Sequence, residues 1–165
     1  MSNQNDQMVQ FKELMGNYPT GVTVVTAVNE SGRPIGLTVN SFTSISIDPL
    51  LIMWSIDKKV STYDSFMKID RFAVNILAAD QTDLVKLFTK KDIDRFQHCE
   101  WAESDLGLPI LANTIGSLQC KVYNRFEAGD HTILLGEVAE VQSKAKDPLL
   151  YHKRKVGPIP AEFYN

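Results

Sequence analysis

Three polar groupings in this chain sit where a small ligand could be handled. His131 directly follows Gly129-Asp130 and stands at the foot of the apolar run Ile133-Leu134-Leu135. A Gly-Asp reversal followed by such a run places an imidazole at the mouth of a sheet, within reach of a ligand. The same histidine would also serve as a plain turn residue. Asp57-Lys58-Lys59-Val60-Ser61-Thr62 sets two lysines ahead of a hydroxyl pair at a predicted helix start. Free backbone N–H groups and the helix dipole favour an anion there, so Lys59, Ser61 and Thr62 are candidate phosphate ligands. An ordinary helix cap beside solvent-facing lysines is the competing reading. Thr38-Val39-Asn40-Ser41 puts an asparagine at a strand end. Such a residue costs free energy if buried unpaired, and is tolerated if it turns outward or meets a ligand.

The remaining motifs narrow the chemistry. Neither Gly-x-Gly-x-x-Gly nor Gly-x-x-x-x-Gly-Lys-[Ser/Thr] occurs, so a Rossmann site and a P-loop are both excluded. A nucleotide must be held by other means. No Ser-His-Asp or Cys-His arrangement stands out to serve covalent catalysis. Cys99 and Cys120 are too few for a disulfide framework, and His98-Cys99 lacks the further ligands of a metal site. Structural cysteines are the simpler reading, and no metal is expected. Binding and orienting ligands is the chemistry left.

Strands must position these groups. Met8, Phe11 and Met15, with Leu14 beside them, share one face of a predicted first helix that Gly16 ends. Val22 to Val28 and Ile35 to Asn40 flank the turn Glu30-Ser31-Gly32-Arg33 and read as a hairpin. Ser41 to Ile47 alternates, and after Asp48-Pro49 the run Leu50 to Ile56 reads as a strand buried on both faces. Ser61-Thr62-Tyr63-Asp64 and Asp80-Gln81-Thr82-Asp83 have the form of capping boxes opening two helices, with the strand Phe72 to Leu77 between them. Periodicity puts Phe88 on the apolar face of the second, where core packing is its natural role. Thr89 to Leu111 reads as an irregular loop with a short helical piece. Thr114 to Glu127 and His131 to Ser143 read as two long strands, and the proline-bearing tail is expected on the surface. Trp54 and Trp101 suit a core or an interface, and Asn75 suits structural hydrogen bonding. Six or seven strands with few helices point to an antiparallel barrel, since closure removes edges.

Composition sets outer bounds. With 165 residues, 44% of them hydrophobic, the chain is expected to form one domain over 1–165 with a substantial core. A net charge of −3 gives no sign of a nucleic-acid partner. The polar start Met1 to Gln7 lacks a signal-type apolar segment, and no run approaches the about 18 apolar residues of a membrane span. No membrane contact and a cytoplasmic location are the expectations.

Gly129-Asp130-His131, Thr38-Val39-Asn40-Ser41-Phe42, Phe72-Ala73-Val74-Asn75-Ile76-Leu77 and Asp147-Pro148-Leu149-Leu150-Tyr151, taken together, resemble the small flavin reductases that serve two-component monooxygenases. The resemblance runs from about Phe11 to about Tyr151. It implies a mainly β fold, a six-stranded antiparallel split barrel of the FMN-binding type with a few flanking helices. It implies hydride transfer from NADH or NADPH to FMN or FAD, a homodimer, and a monooxygenase partner. Thr38, Val39, Asn40 and Ser41 would line the flavin ring, whose edge offers alternating donors and acceptors. Lys59, Ser61 and Thr62 would lie near the flavin phosphate, with Ser55 and Phe88 as further cofactor contacts. His131 and Tyr151 would border the nicotinamide. Such a transfer needs no protein nucleophile, so His131 is expected to position and not to carry a proton. The usual family ending has Arg and Gly after the tyrosine, whereas here Lys153-Arg154-Lys155-Val156-Gly157 is shifted. A non-catalytic flavin carrier or electron-transfer protein is the alternative, and a binding barrel without flavin is a third reading.

Overall fold

β-Branched and aromatic residues lay out most of the chain as antiparallel strands. The computed structural model describes residues 3–164. Helix α1 (Gln4–Asn17) leads through the short β1 (Thr20–Gly21) into β2 (Thr23–Val28), β3 (Pro34–Val39), β4 (Thr43–Ile47) and β5 (Leu50–Asp57). Then come α2 (Tyr63–Lys68), β6 (Arg71–Ile76), α3 (Thr82–Leu87), β7 (Trp101–Glu103) and β8 (Pro109–Leu111). The two long strands β9 (Gly116–Ala128) and β10 (His131–Ser143) follow, then β11 (Leu149–His152) and β12 (Lys155–Pro158). The fold is mainly β with few helices. Its principal sheet has seven strands, within the six or seven read from the pattern and one more than the resemblance implies, in the order β3-β2-β6-β9-β10-β5-β4.

Alternation along the strands builds two apolar clusters. Trp54 is fully buried at the centre of one, with the rings of Phe66 and Phe72 edge-on at 5.3 and 5.9 Å. Phe88, Phe96, Val22, Leu77 and Leu149 belong to the other. Asn75 is wholly buried between them in chain terms and serves structure, as expected: its amide donates to Val24 O and Thr26 Oγ1, and its oxygen accepts from Leu111 N. All three groups would otherwise compete for satisfaction in a dry interior.

Several expectations are corrected. β5 is buried on one face only: Ile52, Trp54 and Ile56 are core, whereas Leu50 is exposed and Leu51, Met53, Ser55 and Asp57 are half-buried. A strand whose second face is uncovered can still be apolar, and that face then waits for other contacts. Neither capping box forms, because Thr62 and Gln81 sit at the N-caps without a side-chain cap bond. Gln81 instead spans outward, accepting from Ala78 N and donating to Ala112 O. The segment read as irregular contains the hairpin β7–β8, and the tail read as surface folds into β11–β12, which pairs with β1. These strands are too short to show periodicity.

Gly36 on β3 is a close-approach glycine. A Cβ there would lie 2.5 Å from Phe88 Cε1 and 3.3 Å from Phe96 Cζ. Gly36→Ala must displace a ring held in an edge-on pair with Phe96. Overpacking of this kind costs about 1–3 kcal/mol. Denaturant titration should show a lower midpoint with an unchanged slope, and an unaltered midpoint would mean that the ring yields freely.

Candidate functional site

The register between β5 and β10 decides which polar groups share a surface. His131 pairs with Asp57, Thr132 with Ile56, and Ile133 with Ser55. Directly paired residues point to the same face of a sheet, and side chains two apart stay on it. His131, Asp57 and Ser55 therefore lie on the face opposite Trp54 and Ile56. Ser41 joins them: its hydroxyl donates to Ser55 O (3.1 Å) and accepts from Ser55 N (3.0 Å). This stitch holds the link after β3 against β5. Asn40, next to it, is exposed, and its side chain makes no hydrogen bond among the described residues.

A cleft of about 490 Å³ is lined in part by Gly36, Ser61, Thr62, Arg33 and Arg95, together with Asp92 and Asp94. Its wall is tied together by Arg95, which donates to Gly36 O (2.7 Å) and, through two nitrogens, to Lys90 O. Partial burial lowers the pKa of that guanidinium below its ordinary value. Thr62 Oγ1 is buried and has no hydrogen-bond partner. A buried hydroxyl left unpaired is costly, and Thr62 is one of the residues that line the cleft. Ser61 is exposed beside it, and Lys59 is exposed with an ammonium that makes no ion pair or hydrogen bond among the described residues. Lys58, by contrast, is committed. It pairs with Glu127, donates to Gly129 O, and has its pKa raised chiefly by the Glu127 hydrogen bond.

At the other end of the strip the Asp130 carboxylate accepts from His131 Nδ1 at 2.7 Å, and this bond lowers the Asp130 pKa. A carboxylate only accepts, so this bond uses a proton on Nδ1 and leaves Nε2 outside it. His131 is half-buried, neither core nor free in solvent.

Not every residue named from the sequence joins this surface. Thr38 uses its hydroxyl on Val85 O (3.2 Å), anchoring α3 to β3, and Val39 is buried with its carbonyl accepting from Thr23 Oγ1. Phe88 is fully buried under Gly36, so its ring offers no free surface. Tyr151 lies in the three-stranded sheet, packed on the Phe88 cluster, and not in the sheet that carries His131. Cys120 is a buried thiol whose pKa burial pushes up to about 12. Arg33, Gly36 and Arg95 were not legible as cleft residues. Gly36 looks like an interior strand glycine, and only the packing of the 89–98 segment brings Arg95 over β3.

The structure thus offers a mainly β frame, a cleft that combines Arg33, Asp92 and Asp94 with the unpaired Thr62 hydroxyl, and an imidazole held by a carboxylate on the strip of β5 and β10. The chain belongs to the flavin reductase like domain family, whose model matches residues 15–160. It is 40% identical over 141 residues to the FMN reductase (NADH) SmoA of Agrobacterium fabrum, covering 86% of this chain and 80% of that one. It is 38% identical over 144 residues to the reductase component of a flavin-dependent trigonelline monooxygenase of Acinetobacter baylyi, covering 87% of this chain but 46% of that longer protein. The NADH:FAD oxidoreductase SgcE6 of Streptomyces globisporus, solved in complex with NAD and FAD fragments, superposes with a TM-score of 0.90 at 31% identity over 98% of both chains.

Thr62→Val tests the orphaned hydroxyl with opposite signs in two states. The free protein should be as stable as wild type or slightly more so, because an unpaired polar group is replaced by an apolar one of the same shape. Flavin affinity should fall by about 0.5–1.5 kcal/mol, roughly two- to twelvefold in Kd. Thermal unfolding and fluorescence titration with FMN measure the two effects, and an unchanged Kd would remove Thr62 from the site.

Proposed function

We propose that this protein is an NADH-dependent flavin reductase that supplies reduced FMN or FAD to a separate monooxygenase. The observation that carries the reading is the unpartnered Thr62 Oγ1 in a cleft lined by Ser61, Thr62 and Arg33, with Lys59 two residues before Ser61 in the chain. The named activities of the relatives support the reaction class. Several of those relatives are named as reductase components or subunits, which supports the monooxygenase partner.

Bound flavin supplies the acceptor for a hydride given up by the nicotinamide. The chain's own groups bind and orient. Lys59, Ser61 and Thr62 would hold the phosphate by charge and by O–H donation. Asn40, with Ser41 and Ser55 behind it, would face the polar edge of the ring, and Thr38 and Val39 would shape the strand end. His131 would present Nε2 as an acceptor for the carboxamide N–H of the nicotinamide, with Nδ1 held by Asp130. Tyr151 and Phe88 would act through the packing beneath the site. No step requires a protein nucleophile.

The whole chain 1–165 is taken as one such domain, with the seven-stranded sheet curling toward an FMN-binding split barrel. Helix α1 has no buried residue, yet Phe11 is 64% and Leu14 69% exposed. A face of that size in water calls for cover, and a second copy of the chain is the occupant this reading assigns. No helix among the described residues is long and apolar enough to cross a membrane. A cytoplasmic location fits a supplier of a diffusible reduced flavin.

Steady-state assays varying NADH, NADPH, FMN and FAD test the function. Multiple turnovers of NADH-dependent flavin bleaching are expected, and a single stoichiometric bleaching or none would favour the flavin-carrier reading. His131→Ala should raise the KM for NADH with only a modest fall in kcat, whereas an obligatory proton donor would lose roughly 10²–10⁴-fold in kcat. Sedimentation equilibrium should give twice the 18.5 kDa chain mass at micromolar concentration, and a monomer would overturn the dimer.

A further inference from the structure

We infer that the connector between β5 and α2, together with the first residue of α2, positions His131, with Lys58 and Tyr63 as the two residues that hold the turn bearing it. This rests on the reading of His131 as a nicotinamide contact.

The turn at Ala128–His131 joins two 13-residue strands and sits at their tips, where Asn124, Phe126, Glu127, Gly129 and Asp130 are all exposed. Hairpin tips with few buried contacts open locally at little cost. Gly129 adopts a φ of 65°, so the reversal itself is relaxed, but relaxed geometry does not fix where the tip points. The imidazole must be held by something outside its own hairpin.

The connector supplies that hold on both sides. Lys58 N donates to Asp130 O (3.0 Å), which extends the β5–β10 ladder past its last register pair, Asp57 with His131. The Lys58 ammonium donates to Gly129 O (3.0 Å) and pairs with the Glu127 carboxylate. On the far side of the turn, Thr132 is buried, and its hydroxyl donates to Glu127 Oε1 (3.3 Å) while sharing a 2.8 Å hydrogen bond with Tyr63 Oη. Tyr63 opens α2, one residue after Thr62. Residues 127, 129, 130 and 132 are thus each tied, directly or through one hydroxyl, to Lys58 or Tyr63.

The connector divides its side chains by direction. Lys58 and Tyr63 face the His131 turn, where the Lys59 charge also acts on Asp130, while Ser61 and Thr62 line the cleft. The six-residue segment from Lys58 to Tyr63 therefore contacts both regions, and its fixed length sets their spacing. Hydride transfer demands that two rings be held at near-contact distance, so a rigid spacer between their two anchors is a mechanical requirement of the reaction. An exposed ion pair such as Lys58–Glu127 contributes little to global stability. Its consequence is geometric, in fixing a tip that would otherwise fray.

The test uses the full-length protein with NADH and FMN. Tyr63→Phe keeps the packed ring and removes only the hydroxyl, Lys58→Met removes the clamp, and Lys58→Arg retains a cation for Glu127. Tyr63→Phe and Lys58→Met should each raise the KM for NADH by roughly two- to tenfold with little change in kcat. Flavin Kd measured without nicotinamide should stay at its wild-type value, and Lys58→Arg should restore most of the KM. In a His131→Ala background neither substitution should raise KM further, because there is no imidazole left to position. Raised KM in His131→Ala alone, with Tyr63→Phe and Lys58→Met normal, overturns the positioning role and leaves the His131 reading standing. Additive effects in the double variants, or a parallel loss of flavin affinity, also overturn it. A His131→Ala protein with normal KM overturns the His131 reading and the positioning role together.

Discussion

The antiparallel ladder between β5 and β10 is the constraint on which the site depends. It brings Asp57 opposite His131 and Ser55 opposite Ile133, so the polar strip and the buried Trp54 side are opposite faces of the same seven paired residues. A slip of one residue would send Ser55 and His131 into the core and Trp54 into solvent. Trp54 resists that slip, because its ring is enclosed and locked edge-on against Phe66 and Phe72. Packing on one face thereby sets the chemistry on the other.

Polar groups around this ladder fall into two kinds. Thr38, Ser41, Asn75 and Gln81 spend their hydrogen-bonding capacity inside the protein, on Val85, Ser55, Val24 and Ala112 among others. Asn40, Lys59, Ser61 and Thr62 leave theirs free. Asn40, Lys59 and Ser61 are exposed, whereas Thr62 Oγ1 is a buried hydroxyl without a partner, as are Thr20 Oγ1 and Ser117 Oγ. The used set explains why several polar residues close to the site in sequence are scaffold. The same contrast separates Lys58 from Lys59, adjacent lysines of which one is clamped to Glu127 and the other is open.

Much of this was readable from residue order, for reasons of local physics. Period-two alternation and β-branched content marked β2, β3, β9 and β10 within about two residues of their observed ends, and Gly129-Asp130 marked the turn between the last two. The motif set pointed to the flavin reductase family. Local pattern failed where an element is short or depends on a distant partner. β7–β8 and β11–β12 are three- and four-residue strands stabilised by pairing, and the β11–β12 hairpin docks on β1 near the other end of the chain. One expected capping box failed for a related reason: Gln81, at the N-cap, spends its amide on Ala78 N and on the distant Ala112 O.

By itself, then, the sequence determined the class of fold, the order of its main strands, the turn that carries His131, and the family. These depend on hydrophobic period, turn chemistry and short motifs, all of which act between neighbours in the chain. Tertiary structure alone decided that the main sheet has seven strands, that Phe88 lies wholly beneath Gly36, that Arg95 crosses to β3, and that Lys58 and Tyr63 grip the His131 turn. Each of those depends on groups brought together from far apart in the chain, Tyr63 with Thr132 and Arg95 with Gly36. Side-chain satisfaction is settled by such meetings, and residue order does not encode them in any local pattern.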